Sequence, residues 1–540
     1  MHNKRLILSL LICLCIVLWY RHYDFHDQDP EPATGLRCDL EADGRCQVSL
    51  DRLLIASGQI KLFDASTWFQ SNSPVTLPGE PIQSTLQRGI LMQKYANYEL
   101  ECSIQRMQED LHFEAKVHNR SEHVLSLWGI DGWEFVFPSS PRGYANDFRW
   151  TLDYLRANGL ACMHPSYWYR LACSYQTTPK WGVGMSMNGL GMYRSLWYWH
   201  ATPEYGALRR RLTLLVERPI LPQQSVTVRW VWRISRQTDW KHLLTPYRDQ
   251  HLQTFGPLRY HPDHRPVVQG LRCDPTHRSD DNPFGYVPKN PWRFDQMAGA
   301  ISYGKIMADA ARQGHCQGLI AWGWAYLKDD LWYPLDSNDL PALVQQNVEL
   351  VRQAFSQQGL RCGALLRFGY MQRMRRDGKR EPAVEVRFSS TSVDLLEPRF
   401  KQLNGLGYLD DAGLGDGDGS TRTPMDDVSN LAAMRQRLGP EPQWFLEHAT
   451  DWSLPHAGFF TYITKTDHGY DPYPIGQWQY EVMRWLYPDA AIIGAMHGSM
   501  QQEELIRLCF ERYRIAPVIQ DWLLVENVPL LQHYAKLKAN

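Results

Sequence analysis

Two rhythms of apolar and polar residues divide the chain. Between residues 37 and 262, apolar and polar positions alternate one for one. Leu111, Phe113, Ala115 and Val117 are separated by His112, Glu114 and Lys116. Val226, Val228, Trp230, Trp232 and Ile234 are separated by Thr227, Arg229, Val231 and Arg233. A period of two sends successive side chains to opposite faces of a strand and predicts sheets with one buried face. Residues 98–107 and 111–118, parted by a short polar turn, read as a hairpin. Many such strands without helices between them predict an antiparallel β-sandwich.

From residue 263 the rhythm becomes strand, helix, strand. Predicted strands cover 267–274, 318–325, 362–370, 406–411, 444–448, 459–464, 491–497 and 517–522. Helical spacing separates most of them. Asp339 is a candidate N-cap with Pro341 in the first turn; Val344, Val348, Val351 and Phe355 follow at helical intervals, and Gly359 ends the helix. Residues 393–403, closed by Gly405, repeat the plan. Short apolar runs of this kind suit strands buried on both faces, as in a parallel sheet. Eight of them predict a (β/α)8 TIM-like barrel over 263–540, a fold of about 250 residues. The connection from the fifth strand to the sixth is too short for a full helix. An open doubly wound sheet is the alternative, but no Gly-x-Gly-x-x-Gly follows a strand. The expected fold class is therefore multidomain, a β-sandwich over 37–262 followed by the barrel.

The fourth and fifth barrel runs both stop at carboxylates. One reads Gly-Leu-Gly-Tyr-Leu-Asp-Asp from Gly405, the other Pro-Gln-Trp-Phe-Leu-Glu-His from Pro442. Acids at strand ends sit at a sheet's rim, and a pair of them is the minimum equipment for cleaving a glycosidic bond. Neighbouring strands lie about 4.8 Å apart. Asp410 and Glu447 at equal height would suit the retaining separation of about 5–5.5 Å better than the inverting one of about 6.5–9.5 Å. Tyr408 and Asp410 share one face of their strand, Leu409 and Asp411 the other, so Asp411 is the alternative nucleophile. Asp274, Arg367, Tyr408, His448, His497 and Asp521 fall at or near the same predicted rim, and Trp322 or Trp324 could form a sugar platform. Each also has an ordinary structural role open to it: loop capping for the polar residues, core packing for the tryptophans. Asp416, Asp418, Ser420 and Asp427 are a weak calcium candidate, because Thr421 stands where a calcium loop has glycine. No other cofactor is expected.

This layout resembles the barrel glycoside hydrolases whose nucleophile ends the fourth strand and whose acid/base ends the fifth, as in the α-amylase superfamily and the endo-α-N-acetylgalactosaminidase-like enzymes. The latter are also similar in placing a galactose-mutarotase-type sandwich before the barrel, and Asp239-Trp240 and Tyr247-Arg248 extend the likeness. The resemblance implies Asp410 as nucleophile and Glu447 as acid/base. Tyr408 stands where α-amylases carry an arginine, and their Asn-His-Asp of the seventh strand is missing, with His497 the nearest feature. The substrate is left open.

Composition bears on partners. The 540 residues carry a net charge of −1 without a basic block, which argues against nucleic acid. The 21 Trp and 27 Tyr suit a glycan partner, though aromatics also fill cores. Of 11 Cys, Cys38 with Cys46 and Cys162 with Cys173 could close small loops. Asn119-Arg-Ser121 matches a glycosylation sequon. Lys4 and Arg5 precede an uncharged apolar stretch, 6–20, with no small-residue cleavage site after it. This predicts an N-terminal single-pass membrane anchor over 1–22, a linker over 23–36, and an extracytoplasmic chain, periplasmic or at the cell surface. Two functions compete: a retaining glycosidase, and a non-catalytic carbohydrate-binding or polysaccharide-assembly protein on the same scaffold.

Overall fold

In the computed structural model the one-for-one alternation becomes two stacked sheets. The structure describes residues 35–64, 80–125, 128–139, 142, 146–147, 173–188, 195–200, 209–216, 219–271, 297–322, 342–367, 369–371, 384–386, 405–410, 424–446, 451–466, 469–473, 476–496 and 500–539. The early strands are β1 (Leu36–Leu40), β2 (Arg45–Leu50), β3 (Leu53–Asp64), β4 (Gln83–Gln87), β5 (Ile90–Lys94), β6 (Tyr98–Met107) and β7 (Asp110–Asn119). After them come β8 (Trp128–Val136), β9 (Asn146–Asp147), β10 (Cys173–Thr177), β11 (Gly182–Asn188), β12 (Ser195–His200), β13 (Arg209–Val216) and β14 (Ser225–Ser235). One sheet runs β1-β2-β3-β8-β13-β12-β9 and the other β10-β11-β14-β7-β6-β5-β4. Pairing is antiparallel throughout except between β12 and β9.

The alternating residues explain the pairing. Leu111 lies opposite Trp232, Phe113 opposite Trp230, Ala115 opposite Val228 and Val117 opposite Val226. These apolar positions face the other sheet. Trp133 of β8 meets Phe113 edge-on at 5.9 Å and Trp232 at 5.0 Å, so aromatic rings interlock across the sandwich. Asn119, in the sequon, is fully buried: its Nδ2 donates to the carbonyls of His123 and Ile220, which leaves no free amide for a glycan.

Two helices leave the sandwich, α1 (Trp240–Leu243) and α2 (Thr245–Phe255). The strand-helix region then supplies β15 (Val267–Gly270), α3 (Met297–Gln313), β16 (Gly318–Ala321), α4 (Ala342–Gln357), β17 (Arg361–Arg367), a hairpin of β18 (Gly369–Met371) and β19 (Val384–Val386), β20 (Leu406–Asp410), α5 (Pro424–Leu438) and β21 (Gln443–Leu446). β22 (Gly458–Thr466), β23 (Gly469–Tyr473), α6 (Gly476–Leu486), β24 (Ile492–Met496), α7 (Gln502–Leu508), β25 (Ala516–Gln520) and α8 (Asp521–Ala539) complete it. β15, β16, β17, β20, β21, β22, β24 and β25 are parallel and close into a barrel through the β21–β22 pairing. Gly359 follows α4 at φ +69°, the left-handed position that ends a helix.

The barrel corrects the expected (β/α)8 TIM-like architecture. The strands close, but helices do not alternate with them throughout. Described residues 451–457 between β21 and β22 are turns, and β22 pairs first with an antiparallel β23. The physical reason lies outside the barrel wall. Trp452, Leu454, Ala457 and Tyr487 share a core with Cys173, Tyr175, Leu244 and Tyr247 of the preceding region. That flank is covered by α2 and the sandwich, so a crossover helix has nowhere to dock. The helix expected at 393–403 lies outside the described residues.

The structure does not support the expected single-pass anchor, nor the extracytoplasmic placement that rested on it. No helix among the described residues is long and apolar enough to cross a membrane, and residues 1–34 lie outside them.

Candidate active site

The register around the barrel fixes which alternate positions face its axis. Gln269 pairs with Ile320, Ile320 with Gly363, Leu365 with Tyr408, Tyr408 with Phe445, Phe445 with Gly458, Phe460 with Ile493, and Gln520 with Gln269. Tyr408 of β20 packs on Phe460 of β22 at 4.5 Å, although β21 stands between those strands. It also stacks on Trp322, beyond β16, at 5.4 Å and 12°, although β17 stands between. Contacts that skip a strand can form only across the inside. The series therefore faces inward.

These inward residues build an aromatic floor. Tyr408 is buried, and Trp322 is partly open above it. Phe460 meets Tyr462 edge-on at 5.0 Å. Two amides join the floor: Gln520 Nε2 donates to Gln269 Oε1 at 2.6 Å, and Gln520 Oε1 has no hydrogen-bond partner among the described residues. Both glutamines sit near the carboxyl ends of their strands, on the side that parallel sheets use for ligands. Neither glutamine is a strand-end acid or aromatic of the kind that marks the expected site. Their signal was present in Val-Val-Gln-Gly and Pro-Val-Ile-Gln, where an amide takes an inward alternate of an otherwise apolar strand.

The expected site residues divide into groups. Asp410 ends β20 and is the register partner of Arg367, which ends β17. Its place is two residues on from inward-facing Tyr408. Leu409 pairs with Leu446, the last residue of β21. Asp411, Glu447, His448, Asp274, Trp324 and His497 lie outside the described residues, as do Asp416, Asp418 and Ser420; Asp427 falls in α5. No group of three or more His, Cys, Asp or Glu among the described residues is placed to hold a metal. Asp521 is buried and engaged: its Oδ2 accepts from Leu271 N at 3.0 Å and Tyr303 Oη at 2.7 Å, and its Oδ1 from Trp522 N at 2.8 Å. Burial raises its carboxyl above the ordinary range, against the pull of those donors. It ties the exit of β15 to α3 and α8.

Four residues beyond position 447 stands a second acid, Asp451, which the sequence analysis did not single out. It is buried in the seam between α2 and the barrel. Tyr247 Oη donates to its Oδ2, and His251 Nδ1 lies 3.7 Å from the same oxygen. Burial pushes the Asp451 carboxyl up to about 7, opposed by the Tyr247 hydrogen bond and backbone donors. Burial also drives His251 down to about 3. Just below neutral pH the pair is thus an uncharged acid beside an uncharged imidazole, and the acid ionises as pH passes about 7. His251 packs on Phe255 and Tyr487, and Tyr487 Oη donates to the Gly256 carbonyl at 3.0 Å. Tyr247 and Asp451 are 204 residues apart, and no local pattern links them.

No family model and no curated protein matches this chain. Solved structures do. The chain is similar to α-N-acetylgalactosaminidase NagBb from Bifidobacterium bifidum in its GalNAc complex, with a TM-score of 0.57 and 14% identity over 94% of this chain and 93% of that one. The quadruple mutant of that enzyme gives a TM-score of 0.54 and 13% identity over 93% and 92%. A cycloalternan-degrading enzyme from Trueperella pyogenes gives 0.46 and 10% over 94% and 80%. The two NagBb structures share this chain's fold along nearly the full length of both chains, and that fold is glycosidase-like.

Proposed function

We propose that this protein is a glycoside hydrolase that works with retention, with Asp410 as nucleophile and Glu447 as acid/base. The observation that carries the reading is the register of β20 and β21. Leu409 pairs with Leu446, and these residues immediately precede Asp410 and Glu447 in the sequence; in this reading the two acids stand above the floor of Tyr408, Trp322 and Phe460. A separation near the spacing of adjacent strands, about 4.8 Å, favours direct attack over an intervening water. In this reading Asp410 attacks the anomeric carbon while Glu447 protonates the departing oxygen. Glu447 then takes a proton from the water that releases the sugar. The aromatic floor suits the apolar face of a pyranose, and Gln269 and Gln520 suit its hydroxyls. The NagBb likeness makes an α-linked N-acetylhexosaminide the first substrate to try.

The full chain is assayed against aryl α- and β-glycosides, beginning with 4-nitrophenyl N-acetyl-α-galactosaminide. The anomer released first is read by proton NMR, and retention is expected. Asp410→Asn should abolish turnover with the fold intact. Glu447→Gln should lose about 10²–10⁴-fold on poor leaving groups, lose little on activated ones, and recover with azide. Glycan binding that neither substitution changes, without turnover of any glycoside, would instead establish the carbohydrate-binding reading.

A further inference from the structure

Three thiols gather at the β1–β2 end of the sandwich. Cys38 lies opposite Val48, and Leu40 opposite Cys46, so Cys38 and Cys46 are diagonal neighbours on one face of an antiparallel pair. Their Sγ atoms are 3.5 Å apart. Cys46 is buried and Cys38 is partly open to solvent. Cys102 of β6, on the facing sheet, is buried and close enough to influence both electrostatically. All three are free thiols. The turn joining β1 to β2 is firmly held: Glu41 N donates to Arg45 O, Gly44 N to Glu41 O, and Arg45 pairs with Glu41 and Asp43. Among the described residues β1 is an edge strand, bonded on one side only.

We propose that Cys38 and Cys46 are an oxidisable dithiol, which a small-molecule disulfide converts to an intrachain disulfide across the β1–β2 hairpin while Cys102 stays reduced. The sulfurs, 3.5 Å apart, need to approach by about 1.5 Å to reach bonding distance. Cys102 belongs to the other sheet, and sheets stack about 10 Å apart, so a bridge to it would draw two backbones together. Cys38 is the point of entry because it is the thiol that solvent reaches. Its thiolate attacks one sulfur of oxidised glutathione, forming a mixed disulfide and releasing one glutathione thiolate. Cys46 gives its proton to solvent and attacks the Cys38 sulfur; the Cys38–Cys46 bond forms and the second glutathione leaves. The protein loses two electrons and two protons, and the glutathione disulfide is reduced to two thiols. The adjacent Cys46 thiol, and then burial, hold the Cys38 thiol well above the ordinary range. Thiolate is therefore scarce at neutral pH, and exchange quickens as pH rises.

The sequence supplies a direct readout. Trypsin cuts after Arg37, Arg45 and Arg52 and so places Cys38 in peptide 38–45 and Cys46 in 46–52, while cleavage after Lys94 and Arg106 places Cys102 in 95–106. The native full-length protein is incubated with excess oxidised glutathione at about pH 8.5, quenched with iodoacetamide in denaturant so that buried thiols are also alkylated, and digested without reductant. The expected result is a 38–45/46–52 linked pair in place of the two alkylated peptides, with 95–106 still alkylated and the link lost on adding dithiothreitol. Cys102→Ser should keep the link. Cys38→Ser should abolish it and leave Cys46 alkylated. Full alkylation of Cys38 and Cys46 in the oxidant-treated native protein would overturn the proposal. So would glutathione retained on Cys38, or a link between 46–52 and 95–106.

Discussion

Asp451 and His251 together make a linkage experiment whose sign follows from the structure. Folding raises the Asp451 carboxyl from 3.8 to about 7 and lowers the His251 imidazole from 6.5 to about 3. Asp451 alone would contribute stability that is fully present below its unfolded value and lost as pH rises through about 7. His251 alone would contribute stability that is present above its unfolded value and lost as pH falls toward 3. Between pH ~4 and ~6.5 the unfolded chain keeps one proton, on the histidine, and the folded chain also keeps one, on the acid. Equal proton numbers mean no slope from this pair. Asp451→Asn removes one half of the cancellation. Burial, the main cause of the shift, still depresses His251 in the variant, against the opposing pull of the Asp451 backbone. The unfolded variant then holds one more proton than the folded one, and its stability gains about 1.4 kcal/mol per pH unit relative to the parent. Across that window the variant's stability relative to the parent rises by about 3 kcal/mol. Cys173, Tyr247 and Tyr487, which surround the pair, are all pushed upward and do not titrate there. The assay is urea unfolding of parent and variant at half-unit pH steps. Stability of the variant relative to the parent that stays constant, or falls, as pH rises refutes the reasoning.

Arg435 supports the turn before β21. Its Nε and Nη2 donate to the His456 carbonyl, its Nη1 to the Gly439 and Pro442 carbonyls, and its guanidinium lies 3.9 Å from the Trp444 ring. Arg435→Met should cost about 3 kcal/mol or more, and Arg435→Lys should recover only part of it in denaturant midpoints, since an ammonium cannot reproduce the planar fork. A Cβ on Gly363 would overlap the Leu406 carbonyl oxygen on the neighbouring strand. Gly363→Ala should therefore cost about 3 kcal/mol or prevent folding. Gly359→Ala meets open space and has only its positive φ against it, so about 1 kcal/mol is expected. Equal melting temperatures for the two glycine variants would contradict this.

Much of the strand pattern was legible because one-face burial writes itself into the sequence. The alternation at Leu111–Val117 and Val226–Ile234 gives both strands and the faces they present, and the two sets pair with each other. In the barrel, strand positions were legible from short apolar runs, and inward parity at Tyr408 follows from alternation once one face is known. The interruption of the helix pattern was visible only as a short connection between the fifth and sixth strands. Nothing in residues 447–457 says what fills the gap, because the filling comes from Tyr247 and His251, far away in the chain. Asp451 was illegible for the same reason. An acid in a loop reads as solvated, and its burial depends on partners that local pattern cannot reach. Gln269 and Gln520 were readable in principle, as polar residues on an inward alternate.

The flank of the barrel covered by α2 has a consequence for how the protein is made and inherited. During synthesis the sandwich and α2 emerge before β21 and β22 exist, so the last-made part of the wall closes against a surface already in place. A chain begun at residue 263 would present Trp452, Leu454 and Tyr487 to water, along with a carboxyl built for burial. Recombination that moved this barrel into another gene would have to carry α2 and β10–β11 with it. The unit of exchange is thus the whole two-part assembly.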